Sequence, residues 1–282
     1  MEEIDYEIRP EVLTYDDVRR MVPKLEGHEK LVNRVFHLLK VDEVNEIHSR
    51  LCDTPGPDFV RRLLFDEYRM TLRVDNEQVL DNLPEGAFIT VSNHPFGSID
   101  GIALIYLIAS RRPKFKVMVN MILNQISAMR PNMIAVDAWK SDDPAKRAVS
   151  VNGIRQTMRQ LREGEPVGFF PAGAMSNTNW KGQPIDKEWQ KSVLQIIYKV
   201  NLPVIPIFFH GKNSWLSNLM GHICWPARSI LTPREMFNKK GKELHVSIGE
   251  PIMPEEQAHY RESPETLGVY LREKTYALRK NK

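Results

Sequence analysis

The chain has 282 residues, 42% hydrophobic and 27% charged, with a mean hydropathy of −0.39; this is ordinary globular material, enough for one large domain. The formal net charge of +3 is too small to argue for nucleic acid, and the longest apolar run, near 101–109, falls short of the roughly 20 residues a membrane-spanning helix needs. MEEIDYEIRP at the start carries no apolar signal region, and Cys52 and Cys224 stand at no metal-ligand or redox spacing, so a reduced cytosolic protein is expected.

Residues 12–70 read as mostly helical. Leu31, Val32, Val35, Phe36, Leu38 and Leu39 recur at helical spacing, DTPGPD (53–58) interrupts, and VRRLLFDEYRM resumes. From about residue 71 strands and helices alternate. TLRV and AFITV (87–91) read as strands, the second entered through the turn signal NLPEG, and GIALIYLIA reads as a buried helix. KFKVMV (114–119) and NMIAV (132–136) are strands, and 144–163 is a long amphipathic helix. PVGFF (166–170) is a strand ending in the turn PAG, DKEWQKSVLQIIYKV (186–200) a helix, and PVIPIFF (203–209) and ELHVSI (243–248) are strands. A closing helix starts at the N-cap candidate Ser263, with Glu265 in its first turn. The expected fold is α/β, a mixed and largely parallel sheet flanked by helices over 71–282, with a helical extension over 1–70.

Polar residues gather where strands end. His94 and Asp100 follow one strand, Asp137 a second, Pro171, Gly173 and Ser176 a third, and His210 and Gly211 a fourth. Loops leaving the carboxyl ends of strands line ligand clefts in such sheets. In VSNHPFGSID (91–100), His94 is the natural general base and Asp100 the carboxylate that fixes its tautomer. No G-x-S-x-G elbow is present, so the pair suits direct transfer to a substrate hydroxyl. Gly97 and the helix start beyond it are expected to offer N–H groups to an oxyanion. The residues also admit a purely structural account: Asp100 complementing a helix dipole, His94 as a turn histidine.

NHPFGSID resembles the first motif of the glycerolipid and lysophospholipid acyltransferases, in which Asn-His precedes an Asp. NMIAVDAW, VGFFPAGAMS and NLPVIPIFFHG resemble the second, third and fourth motifs in order, and SIGEPIMP resembles the family's closing Gly-Glu-Pro-Ile. The ordered likeness covers about 71–255. The five residues between His94 and Asp100 resemble a hemolysin-like branch with His-Pro-Phe-Gly-x-x-Asp-Gly, some of whose members make amino-acid-containing lipids. The resemblance implies an O-acyltransferase that moves a fatty acyl group from acyl carrier protein or coenzyme A to a lysolipid hydroxyl. It implies His94 and Asp100 as catalytic residues, no metal, no cofactor beyond the thioester co-substrate, and no covalent intermediate. Asn93, Gly97, Ser98, Asp137, Lys140, Pro171, Gly173, Ser176 and Asn177 are the expected substrate-binding residues. Two readings from other classes are an inactive lipid-binding or membrane-perturbing protein on the same fold and an esterase-like hydrolase.

Three departures from the family pattern bear on the substrate. Ala172 stands where the third motif carries Glu, Met175 where it carries Arg, and Ala138 follows Asp137 where an Arg is usual. Without those cations a phosphate monoester is poorly matched, so the expected acceptor is a lysolipid lacking one, such as a mono-acylated amino acid. RRPKFK (111–116) and LRKNK (278–282) are either solvated runs or contacts for anionic lipid or an acidic carrier. NSWLSNLMGHICW (213–225) sets Trp215, Leu216, Leu219, Met220 and Ile223 on one helical face, for core packing or for a membrane, with Trp225 near the interface. Salt-sensitive, peripheral association with the inner face of the cytoplasmic membrane is the expectation.

Overall fold

The computed structural model describes residues 7–137, 144–179, 182–223 and 225–279. Among the described residues four α-helices precede the sheet: α1 (Tyr15–Met21), α2 (Glu29–Leu39), α3 (Val41–Leu51) and α4 (Pro57–Arg61), the last running into a π-helical turn at Arg62–Glu67. Strands and helices then follow as β1 (Thr71–Asp75), β2 (Ile89–Ser92), α5 (Ile99–Ala109), β3 (Lys116–Asn120), β4 (Met133–Val136), α6 (Pro144–Arg162) and β5 (Val167–Phe169). A small hairpin, β6 (Asn177–Thr178) and β7 (Pro184–Ile185), precedes α7 (Lys191–Val200) and β8 (Val204–His210). The chain closes with α8 (Trp215–Ile223), α9 (Trp225–Ile230), α10 (Thr232–Phe237), β9 (Glu243–Ile248), α11 (Pro254–Ala258) and α12 (Pro264–Ala277).

The main sheet runs β1-β9-β8-β2-β5-β3-β4. All its pairs are parallel except β8 with β9. The central strands are continuous apolar runs because helices cover both faces. On one face Ile205, Ile207, Phe209 and Val246 pack with α5 and with Ile47, Leu51, Phe59 and Leu64 of the N-terminal helices, so α3 and α4 share the core of the sheet. On the other, Ile89, Val91, Val167 and Phe169 meet Val193 and Ile197 of α7 and Leu267 and Leu271 of α12. Helices α1 and α2 form a satellite cluster around Val32, Phe36 and Val41.

Most of the expected elements are present. Ser263 caps α12 by accepting from the Thr266 N–H at 3.1 Å. Two differ. The helix expected from 186 starts at Lys191, because Asp186 turns inward and the Gln190 N–H is held by the Pro171 carbonyl at 2.8 Å. The 213–225 stretch is split between α8 and α9, and its apolar face is not core: Trp215 is 76% and Ile223 69% exposed. Helical spacing shows that one face is apolar, not what covers it.

Candidate active site

β2 is buried along its whole length, and the residue after it clips the chain to β8. Asn93 donates Nδ2 to the Phe209 carbonyl at 2.9 Å and accepts the Phe209 N–H at 2.7 Å. Its amide therefore fixes the start of the loop. Three residues past His94 the chain reverses at Gly97, with φ of 82°, a region that glycine enters without strain. A side chain there would also collide with Met175, whose Sδ would lie 2.2 Å from a Cβ. This kink absorbs the five-residue spacing and brings Asp100 into the first turn of α5.

The kink joins the pair. Nδ1 of His94 lies 3.0 Å from Oδ2 of Asp100, whose side chain is fully buried. The approach is off the linear hydrogen-bond line; Oδ2 also accepts the N–H groups of Phe96 (3.0 Å) and Gly97 (3.2 Å), while Oδ1 accepts that of Gly101 (3.0 Å). Burial alone would push the Asp100 carboxyl up; the charge and proximity of His94, then the two N–H groups of Phe96 and Gly97, outweigh it and hold the group below the usual carboxylate range. The His94 ring stacks on Phe170, centroids 4.1 Å apart. With Nδ1 turned to Asp100, Nε2 is the nitrogen left for a substrate. The N–H groups of Phe96, Gly97 and Gly101 are committed to Asp100, so the expectation that Gly97 serves an oxyanion is corrected.

A second carboxylate braces His94 from behind. Asp186 Oδ1 accepts the His94 N–H at 3.3 Å and the Ser176 hydroxyl at 2.5 Å, while the Ser176 N–H donates to the His94 carbonyl at 2.8 Å. The backbone of the base is thus held on both sides. Burial pushes the Asp186 carboxyl up, against the lowering pull of Ser176 and His94. Ser176 acts here by position, its hydroxyl already engaged. Phe170, Asp186 and Arg228 are the site neighbours that sequence reasoning missed; Asp186 in particular looks like an ordinary acid at a helix start.

The remaining expected residues scatter. Pro171 and Gly173 form the turn after β5, Ser98 caps α5 without a side-chain bond, and Asn177 on β6 accepts from Arg228 at 3.2 Å. Asp137 follows the edge strand β4, which β5 and β3 separate from β2; at about 4.8 Å per strand that is roughly 14 Å. The structure therefore does not bring Asp137 to the His94 pair. Lys140 lies outside the described residues. His210 stacks on His245 on the sheet face opposite Phe209 and holds Ser247 at 2.8 Å. With Asp75 these two histidines form the one group among the described residues with metal-ligand proximity. Their rings are parallel within 10° and 4.0 Å apart, so their in-plane lone pairs lie in separate planes, and one ion would take both only after a ring turned.

The chain resembles known proteins along most of its length. A family model described as Acyltransferase matches residues 20–282. The chain is 25% identical over 256 residues to a lyso-glycine lipid O-acyltransferase of Bacteroides thetaiotaomicron, spanning 88% of this chain and 89% of that protein. A lyso-glycine lipid O-acyltransferase of Phocaeicola vulgatus is 25% identical over 231 residues, 79% of this chain and 78% of that one. Among solved structures, the 1-acyl-sn-glycerophosphate acyltransferase PlsC of Thermotoga maritima shares the fold, with a TM-score of 0.50, 18% identity and 80% of each chain covered. With the matched residues running from α1 to the end of the chain, the protein belongs to the acyltransferase family.

Proposed function

We propose that this acyltransferase moves a fatty acyl group from a thioester, of acyl carrier protein or coenzyme A, to the hydroxyl of a lysolipid with an amino-acid headgroup. The His94–Asp100 pair at a strand end carries the reading; the two relatives named for a lyso-glycine lipid support the acceptor class. Neutral His94 takes the acceptor's hydroxyl proton at Nε2 as that oxygen bonds to the thioester carbon. The carbonyl electron pair moves onto oxygen, then returns and breaks the C–S bond. The departing thiolate takes the proton from Nε2. Asp100 stays ionised throughout and offsets the imidazolium. No enzyme nucleophile takes part, in keeping with the engagement of the Ser176 hydroxyl by Asp186.

The acceptor is tested by competition. Purified protein is given one acyl donor with equal glycine lysolipid and lysophosphatidate, and products are read by mass spectrometry. The glycine lysolipid is expected to win by about tenfold or more, a difference of about 1.4 kcal/mol. A higher specificity constant for lysophosphatidate overturns the headgroup, and transfer to neither overturns the activity.

We place the enzyme peripherally on the inner face of the cytoplasmic membrane, seated by α8. No helix among the described residues is long and apolar enough to cross a membrane. Trp215, Leu216, Leu219, Ile223 and Ile230 stand exposed on α8 and α9, a composition that suits the interface. The basic run 111–116 does not share this edge. Arg112 donates to the carbonyls of Pro84, Gly86 and Gly164, before β2 and β5, while Arg111 pairs with Asp81 and Lys114 with Glu165. Those charges lie at the opposite end of the strands from His94, and residues 280–282 of the second basic run lie outside the described residues; in place of the salt-sensitive association expected from the basic runs, apolar seating on α8 is proposed. In liposome flotation the protein should float at low and high salt alike, and Trp215→Glu with Ile223→Glu should leave it in the soluble fraction. Release of the unmutated protein by salt would count against α8 as the seat.

A further inference from the structure

Arg228 is fully buried, 1% exposed, beside the loop that braces His94. Among the described residues no carboxylate stands within ion-pair range of it; Glu235 and Asp100 act on it only through space. The guanidinium rests on neutral oxygens. Nη2 donates to the Ser176 carbonyl at 2.8 Å and to Asn218 Oδ1 at 3.4 Å. Nη1 donates to Asn177 Oδ1 at 3.2 Å and to the Met175 carbonyl at 3.5 Å. Nε is buried with no partner at all. The space for it comes from Gly221 on α8, where a Cβ would lie 3.0 Å from Cδ and 3.1 Å from Nη1 of Arg228.

Buried charges are ordinarily paired. A guanidinium held by amide and peptide oxygens, with two of four bonds longer than 3.2 Å and a fifth donor idle, is short of one anion. We infer that Arg228 receives the carboxylate of the acceptor's headgroup, entering between β6 and α8; this rests on the acceptor class proposed above. Asn177 and Asn218 are half-buried and hold the guanidinium at 3.2 and 3.4 Å, and turning the Asn218 amide also gives up its Nδ2 bond to the Asn213 carbonyl at 2.9 Å. Rotation of their amides lets a carboxylate replace both oxygens with a bidentate pair. The short bond to the Ser176 carbonyl stays, and the same residue's N–H holds the His94 carbonyl. The headgroup is thereby registered to the base through one residue, Ser176. The charge also selects. Lys239, the neighbouring half-buried cation, is already held by Glu235 at 3.5 Å and Asn213 at 3.2 Å. One guanidinium matches a carboxylate monoanion and leaves a phosphate dianion half-balanced.

The test uses the full-length protein with glycine lysolipid and its methyl ester, in acyl transfer and in equilibrium binding. The unmutated protein should favour the free acid by about tenfold or more in both. Arg228→Lys, which keeps the charge without the fork, should shrink that ratio, and Arg228→Met should bring it close to one, with the loss mainly in KM. Equal use of acid and ester by the unmutated protein overturns the assignment, as does an undiminished ratio in Arg228→Lys. Should Arg228→Met fail to melt cooperatively, the other two proteins decide. A chain that binds the acid over the ester through Arg228 yet transfers no acyl group sinks the acyl-transfer reading and leaves this one standing.

Discussion

His94→Ala is expected to lower acyl transfer by about 10²–10⁴-fold, the usual worth of a general base, while the melting transition stays cooperative. The two halves of this expectation rest on different atoms. The chemistry uses the ring, whose Nδ1 faces Asp100. The fold uses the backbone: His94 N–H to Asp186 and His94 carbonyl to the Ser176 N–H. Alanine keeps both backbone bonds and removes the half-buried ring, its stacking on Phe170 and its contact with Asp100, whose carboxylate still accepts three loop N–H groups. The loss should fall on kcat, because acceptor binding is placed on other residues. Single-turnover acylation under saturating donor, beside a thermal melt, measures both halves. Near-normal turnover in a folded His94→Ala protein would sink the mechanism.

How much of this was legible beforehand depends on contact range. AFITV, PVGFF and PVIPIFF announce buried strands because each is a continuous apolar run closed by turn residues. The His94–Asp100 pair is legible because both members lie in one loop and Gly97 marks the reversal between them. The order of the strands is not written in any local pattern, so a strand-end position such as Asp137 reads as cleft-lining although β5 and β3 stand between its strand and that of His94. Asp186 lies 92 residues from His94. Its neighbours Trp189, Val193 and Ile197 have helical spacing, and propensity alone extends that helix back over it. Met175 in place of an arginine reads as a missing cation, although Arg228, from α9, donates to the Met175 carbonyl. The sequence also leaves the outcome open for Trp215: a helical stripe of Trp, Leu and Ile is the same pattern whether protein or lipid covers it.

Asp100 should prove as sensitive as His94, and in stability as well as activity. Asp100→Ala strips the partner from three N–H groups, that of Phe96 buried and those of Gly97 and Gly101 partly buried. Leaving a buried donor unpaired costs about 1–3 kcal/mol each, part of it recovered by relaxation, so a loss of about 3–5 kcal/mol is expected. Asp100→Asn keeps the shape and one acceptor oxygen and should cost less stability, yet lose about 10²–10⁴-fold in transfer, because a carboxamide does not offset the imidazolium. The pH dependence separates charge from shape. The folded-state pKa of Asp100 is depressed despite burial, by His94 and the loop N–H groups. The folded state therefore binds fewer protons at this residue than the unfolded chain does. Its contribution is fully present above the unfolded value of about 3.9 and is lost as pH falls through the lower folded value. Asp186 has the opposite sign: its folded pKa is raised by burial, so its contribution is present below the unfolded value and lost as pH rises through the folded one. Urea unfolding at neutral pH and at steps below pH 4 should show the gap between the unmutated protein and Asp100→Asn closing on the acid side. A gap that stays constant across that range would mean that Asp100 matters for its shape and not for its charge.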